Sequence, residues 1–460
     1  SKLDSLISGG LSGNWIIIDD ITLDANKTIP SGVTLHFNGG IINLSTFTLT
    51  GTQTRIEASL TQIFNVNTGS FSGNFDVGEI YPQWFGAAGD GVTNDSSAIQ
   101  DMFDFAETSK TQQQPDGLGY IGLQTVVSFP TKTYLLLQTV TIKANYPIIK
   151  GNGSIITTTD NSITLLTTSE GAQSQNGQKM QVKDITFING FNHFIINDLN
   201  IDTGQILFDN CKFYTSFDYA VIADDQSCMV AFRKCHWYHC RFIYNSINID
   251  QSLFDDCWFS EHPRIANFEC SIKLTSGDNV FNNCFFIPSG FDRNSIITNE
   301  PNLTELGWIE NYANITIRGG RVSTEPNIKT LINNYATRNN DTNPTLGNIL
   351  ITDCDNLCGA DGGINPVVRL FNIPDRLTFI NNRFLVNEMS LVKLSSTFTV
   401  ADYYANEAVD SDIKYDGDSL IQDFIPRVEG LRDFALRSRI LLLESNKGIP
   451  FDVSLGAIPF

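Results

Sequence analysis

The chain has 460 residues, 17% of them charged and 41% hydrophobic, and its 50 acidic against 30 basic residues give a formal net charge of −20. That balance disfavours phosphate backbones and anionic membrane surfaces, so neither nucleic acid nor membrane insertion is expected, while an acidic polysaccharide stays open because a site can be locally neutral or basic. No apolar run reaches membrane-spanning length, the first residues carry no signal-peptide pattern, and nine cysteines without a short disulfide framework read as free buried thiols.

Residues 14–80 read as short strands separated by turn signals, among them Asn26, Pro30-Ser31-Gly32 and Asn38-Gly39-Gly40. They are expected to form a strand-rich N-terminal cap over residues 1–80. Next comes Trp84-Phe85-Gly86-Ala87-Ala88-Gly89-Asp90-Gly91, a glycine-punctuated turn that runs into a helix. Asn94 or Asp95 is placed to accept bonds from the free amides of that helix. Ala98, Ile99, Met102, Phe103 and Phe105 supply its apolar stripe. No long helical pattern follows residue 107, so one extended architecture accounts for the length better than several globules.

The glycine turn and helix, with Val126-Val127-Ser128-Phe129-Pro130, Thr133-Tyr134-Leu135 and Ile148-Ile149-Lys150-Gly151-Asn152-Gly153 downstream, resemble the first coils of pectate-lyase-like right-handed parallel β-helix proteins. Bacteriophage tailspikes and capsule depolymerases are the nearest members in pattern. The match covers roughly residues 81–155. The resemblance implies an all-β right-handed parallel β-helix with a short capping helix, a virion-tail (extracellular) location, a homotrimer, and bacterial surface polysaccharide (capsule or O-antigen) as partner and substrate. No cofactor is expected.

Beyond residue 155 the argument rests on repeats. Leu207-Phe208-Asp209-Asn210-Cys211-Lys212-Phe213, Leu253-Phe254-Asp255-Asp256-Cys257-Trp258-Phe259 and Val280-Phe281-Asn282-Asn283-Cys284-Phe285-Phe286 are copies of one strand. Aligning Ile185, Cys211, Cys235, Cys257, Cys284, Ile315, Cys354 and Arg383 gives a variable period typical of a solenoid. Cysteine and the aromatic residue two places on share one strand face, so stacked coils line the interior with like side chains. The Asn or Asp before the cysteine suits a turn with positive φ. The β-helix body is assigned to residues 81–390, and residues 391–460 to a C-terminal cap or trimer contact.

A second repeating strand ends at Asp198, Asp224, Asp250, Thr275 and Asn299. Its first three carboxylates are 26 residues apart, so a shared register would stack them one rung, about 4.8 Å, from each other. Glycosidases use two carboxyl groups about 5 Å apart for retention, or roughly 6.5–9.5 Å apart for inversion. Asp224 and Asp250 are therefore the expected acid and base or nucleophile of endo-hydrolysis, with Glu269 as substitute. Asp198, Asp225, Tyr244, Glu261, His262, Arg264 and Lys273 are expected to contact the glycan. Tyr219, Tyr238 and Trp308 are further stacking candidates. A polysaccharide lyase on the same scaffold, or a non-catalytic receptor-binding or adhesin β-helix, are the alternatives. Ile201-Asp202-Thr203-Gly204 and Asp224-Asp225 resemble two polygalacturonase motifs, but the Gly-His-Gly and Arg-Ile-Lys segments of that family are missing. Cys235-His236-Trp237-Tyr238-His239-Cys240 crowds four donors into six residues, yet strand alternation turns His236 away from Cys235, so no metal site is assigned.

Overall fold

The structure is a computed structural model that describes residues 2–10, 12–109, 125–143, 148–169, 179–197, 205–224, 228–247, 249–260, 272–287, 307–322, 330–335, 347–354, 368–370, 376–380, 382, 392–394, 412–416 and 428–429. The fold is an all-β parallel β-solenoid of about ten turns. The chain forms two compact units, Ser1–Lys212 and Phe213–Phe460.

In the first unit the strands of residues 13–76 are already wound in parallel. Gly13–Ile17 pairs with Val33–Phe37, which pairs with Thr48–Glu57, which pairs with Ser70–Asp76. Ile21–Thr22, Ile42–Asn43 and Phe64–Asn65 make a second parallel sheet. Strict alternation in Gly13–Ile17 buries Trp15 and Ile17 and leaves Ile16 outside. The helix Ser96–Ala106 follows the glycine turn and buries Ala98, Ile99, Met102, Phe103 and Phe105. Its Phe105 ring meets Phe71 at 4.8 Å and Phe75 at 5.1 Å, tying the helix to the N-terminal coils.

The two candidate caps divide their work. Asn94 Oδ1 accepts the amide of Ser96, at the helix start, at 3.1 Å. Asp95, 1% exposed, reaches back instead and accepts the amides of Ala88 at 2.7 Å and Gly89 at 3.2 Å. The carboxylate thus fastens the glycine turn, and burial holds its pKa above the usual carboxylate value despite those bonds. From Val126–Ser128 onward the parallel pairing continues, with register Val182↔Phe208 and Lys183↔Asp209 bringing Ile185 level with Cys211.

In the second unit the interior is a set of ring stacks. Phe232, Phe254 and Phe281 lie face to face on successive rungs at 4.9 Å and 4.5 Å, with interplanar angles of 9° and 5°. Trp237, Phe259 and Phe286 form a parallel column at 4.9 Å and 4.8 Å. All six are buried. Between the columns the backbone bends at a residue with positive φ, namely Lys234, Asp256 and Asn283 here, Asp184 and Asn210 in the first unit, and Asp353 further on. The expected turn position is therefore observed, and its side chains also pair: Asn283 donates to Asp256, and Asn210 to Asp184 at 2.7 Å.

The cysteines sit directly after the bend. The bend residue stays in the ladder, with Lys234 N–H donating to Asp255 O at 2.9 Å and Asp256 N–H to Asn282 O at 3.0 Å, and the thiol that follows it adds a further donor toward a buried carbonyl of the preceding coil. Cys257 Sγ donates to Phe232 O at 3.4 Å, Cys284 Sγ to Phe254 O at 3.5 Å, and Cys211 Sγ to Val182 O at 3.3 Å. A thiol is small and apolar enough for the core yet still offers a weak donor.

Two of the aligned positions are corrected. Asn282 pairs with Arg318 and Phe285 with Arg321, so the rung after Cys284 holds Gly320, not Ile315. Thr352 pairs with Ile380, which puts Asn382 rather than Arg383 beside Cys354, and Asn382 Oδ1 accepts the Cys354 amide at 3.0 Å. Parallel pairing also extends into the stretch assigned to the C-terminal cap, where Arg376–Ile380 pairs with Asp412–Asp416 and Val392–Leu394 with Val428–Glu429.

Candidate functional site

The second sheet of the Phe213–Phe460 unit carries Tyr219, Tyr244 and Lys273, with Asp224 directly after its first strand, whereas Asp250 and Tyr238 lie on the other sheet. The strands of the second sheet run Tyr219–Ala223, Phe242–Ser246, Ile272–Leu274, Gly307–Asn311, Thr330–Asn334 and Val368–Leu370. The register Ile222↔Asn245 and Asn245↔Lys273↔Glu310↔Asn333 makes one row on the outer strand face, buried at Asn333. Two residues further along the same strands, the next outward row is Asp224, Ile247, Thr275, Tyr312 and Tyr335. Successive main-chain bonds hold it: Ile247 N–H to Ala223 O at 2.7 Å, Thr275 N–H to Ser246 O at 3.1 Å, Tyr312 N–H to Leu274 O at 2.8 Å, and Tyr335 N–H to Asn311 O at 2.7 Å.

This register overturns the aspartate ladder. Ala223 pairs with Ser246, so the neighbour of Asp224 on the next coil is Ile247 rather than Asp250. Asp250 has already passed the turn. It is an exposed residue of Ile249–Asp255, a strand of the other sheet that pairs with Cys228–Arg233. The equal spacing of 26 residues arises because coil length varies: Val221↔Tyr244 spans 23 residues and Tyr244↔Ile272 spans 28. Tyr244 is also corrected. It is wholly buried, donates or accepts a bond with Ser252 Oγ at 3.0 Å, and packs edge-on against Phe232 and Phe254. Its strand buries both faces over Phe242, Ile243 and Tyr244, so the ring is not available to a glycan.

Lys273 occupies an outward strand position between two buried neighbours. Its Nζ lies 5.7 Å from the centre of the Tyr312 ring, a cation–π approach. Glu310, level with Lys273 on the next coil, accepts a bond from Tyr312 OH at 2.7 Å. Tyr312 stacks on Tyr335 at 5.0 Å and 16°. Three outward features thus meet on three successive coils: an ammonium, a carboxylate and a pair of parallel phenol rings. Sequence reasoning missed Glu310, Tyr312 and Tyr335, because nothing in the Cys-aromatic repeat marks them. Their signal is the Glu310-x-Tyr312 spacing directly after an apolar position, which puts both side chains on one face.

Asp198, Asp225, Glu261, His262, Arg264 and Glu269 lie outside the described residues. So does residue 202 of the polygalacturonase-like motif, and of Trp308 only the backbone is described. Tyr219 stacks on Phe242 at 4.7 Å, with the Arg241 guanidinium 5.0 Å over the Phe242 ring. In the cysteine and histidine hexapeptide the two thiols face the core. Cys235 Sγ donates to Arg233 O at 3.4 Å and Cys240 Sγ to Phe213 O at 3.2 Å, and burial pushes the Cys240 thiol up to about 11. His236 faces outward and pairs with Ser260 Oγ.

No protein-family profile matches the sequence, and no curated protein is similar to it. Among solved structures the chain is similar to PfbA, a surface adhesin of Streptococcus pneumoniae, at 14% identity over 74% of this chain and 89% of that one, with a TM-score of 0.33. It is also similar to ORF18 of Geobacillus virus E2, at 14% identity over 69% of this chain and a TM-score of 0.26, and spans 57% of that chain. Likenesses of this size carry no argument about activity. The class rests on the strand pairing itself, which defines a parallel β-solenoid.

Proposed function

We propose that this chain is a surface-binding β-solenoid of tailspike type that holds bacterial polysaccharide, capsule or O-antigen, on the outer face of its second sheet. The observation that carries this is the cluster Lys273, Glu310, Tyr312 and Tyr335. Stacked rings offer flat apolar faces to the C–H side of a pyranose, and the adjoining ammonium and carboxylate take its hydroxyl groups or charges. The side chains rise from strands, so their spacing is fixed before the ligand arrives and little ordering cost is incurred on binding. The virion tail location and the homotrimer are part of the same proposal.

Cleavage stands less well on this face. Asp224 and Glu310 occupy rungs three coils apart, about 14 Å at 4.8 Å per rung, which exceeds either glycosidase separation. Asp224 directly follows Tyr219–Ala223 of one sheet, whereas Asp250 lies in Ile249–Asp255 of the other. The geometry therefore favours binding, and depolymerisation is the outcome a direct assay separates. Immobilised chain is exposed to a panel of purified capsular and O-antigen polysaccharides, and the same preparation is spotted on bacterial lawns. Binding to one polysaccharide, weakened about tenfold by Tyr312→Ala, supports the proposal. Binding to none overturns it. A growing halo, lost in Asp224→Asn or Asp250→Asn, establishes cleavage as well. Unsaturated uronate in the products then marks a lyase rather than a hydrolase.

A further inference from the structure

The first sheet of the Phe213–Phe460 unit presents rings outward as well as inward. Trp237, Phe259 and Phe286 are buried, and alternation turns the residues before them to the other side. Those residues form the row His236↔Trp258↔Phe285↔Arg321. Ring centres along it lie 6.2 Å apart for His236 and Trp258 and 5.3 Å apart for Trp258 and Phe285. Tyr214 extends it by 6.0 Å to His236 and 5.7 Å to Tyr238. Trp258 is 47% exposed, an unusual place for the largest apolar side chain. The His236 ring is fixed: its Nε2 pairs with Ser260 Oγ, which donates to Trp237 O at 3.1 Å.

Charge gathers beside these rings. Across the bend the strands carry the row Arg233↔Asp255↔Asn282↔Arg318, and the bend itself carries Lys234, Asp256 and Asn283. Arg233, Lys234, Arg318 and Arg321 are exposed, while Asp255 and Asp256 are half-buried. Four cations against two carboxylates form a basic patch on a chain of net charge −20.

We propose that this row is a second glycan track, distinct from the Lys273 face, and that it takes a run of pyranose residues from an anionic polysaccharide. The proposal rests on the polysaccharide-binding function above and adds a ligand class to it. One ring per coil repeats every 4.8 Å or so, close to the length of one sugar in an extended glycan, so a chain lying along the coils meets a ring at each step. The flanking guanidinium and ammonium groups meet carboxylates of the glycan. An interface between two protein copies would instead be depleted of charge at its centre.

The test titrates the full chain with polygalacturonate and hyaluronate as anionic probes and dextran as a neutral one. The polysaccharide that binds best in the panel is included. Trp258→Ala, Trp258→Phe and Arg318→Ala/Arg321→Ala are compared with wild type and with Tyr312→Ala, and iodide quenching of tryptophan and the sedimenting mass are followed in parallel. The expected result is that Trp258→Ala weakens anionic glycan binding about tenfold, Trp258→Phe retains most of it, and the arginine pair loses affinity and salt dependence together. Bound glycan also protects Trp258 from iodide. Wild-type affinity in Trp258→Ala with loss only in Tyr312→Ala overturns this proposal and leaves the first standing. A change of sedimenting mass without change of affinity also overturns it, making the row a contact between copies. Failure of every probe to bind overturns both.

Discussion

Removing the Phe254 ring tests whether the solenoid is held as a one-dimensional stack. The ring is wholly buried, faces Phe232 at 4.9 Å and Phe281 at 4.5 Å, and takes the edges of Tyr244 at 5.4 Å and Phe259 at 5.7 Å. Truncating a buried phenylalanine costs about 3–5 kcal/mol. Two face contacts and two edge contacts put Phe254→Ala at the upper end, near 5 kcal/mol. Coupling is the sharper measure. Phe232 and Phe254 are adjacent rungs, so Phe232→Leu with Phe254→Leu should depart from additivity by about 1 kcal/mol. Phe232 and Phe281 are two rungs apart, about 9.6 Å, so Phe232→Leu with Phe281→Leu should be additive within about 0.5 kcal/mol. Reversible urea unfolding, followed by tryptophan fluorescence and far-ultraviolet circular dichroism, gives each free energy. Equal coupling in both pairs, or a cost below about 1 kcal/mol for Phe254→Ala, would refute the nearest-neighbour account.

Two more outcomes follow from local geometry. Asp101 on the Ser96–Ala106 helix has its pKa pushed up to about 6 by burial, with the Asp104 charge adding to it. A raised carboxyl pKa favours folding while the group is protonated, so that stability is complete below pH 3.8 and is lost as pH rises through about 6. Asp101→Asn should therefore match wild type in acid and exceed it above pH 7. The full shift would be worth about 3 kcal/mol, reduced by solvent screening at this half-buried site to about 1 kcal/mol, read from urea midpoints across pH. Gly320→Ala should cost about 2–4 kcal/mol, because φ is +82° and a Cβ would lie 2.1 Å from Cys284 O. A thermal midpoint unchanged from wild type would contradict that contact.

The Cys-x-aromatic strands were readable because each feature has one cause. The ring two residues after the cysteine returns to the core face, and the Asn or Asp before it takes the left-handed bend. Where the cause persisted under another residue, the text was lost: Gly319-Gly320 makes the bend without Asn or Cys, so Ile315 took its place in the alignment. The site was less legible. Period-two alternation fixes the side of a strand but not how many residues a turn consumes, and Asp224 and Asp250 looked stacked although one ends a strand of one sheet and the other begins a strand of the second. Tyr244 misled because its strand is covered on both sides. The side that Lys273 takes was open to a one-residue slip in the sequence, and the burial of Ile272 and Leu274 leaves it a single direction.

Phe232, Phe254, Phe281, Ile317 and Ile351 hold successive rungs although 22, 27, 36 and 34 residues separate them. The bend and its thiol or glycine reset the phase of the chain on each circuit, so an excursion between rungs of almost any length rejoins at the same point. The scaffold therefore behaves as a rack whose slots keep their register whatever the length of chain between them. An outer segment can be lengthened, shortened or exchanged on one coil while the rungs above and below keep their register, so the proposed recognition face can be altered one slot at a time.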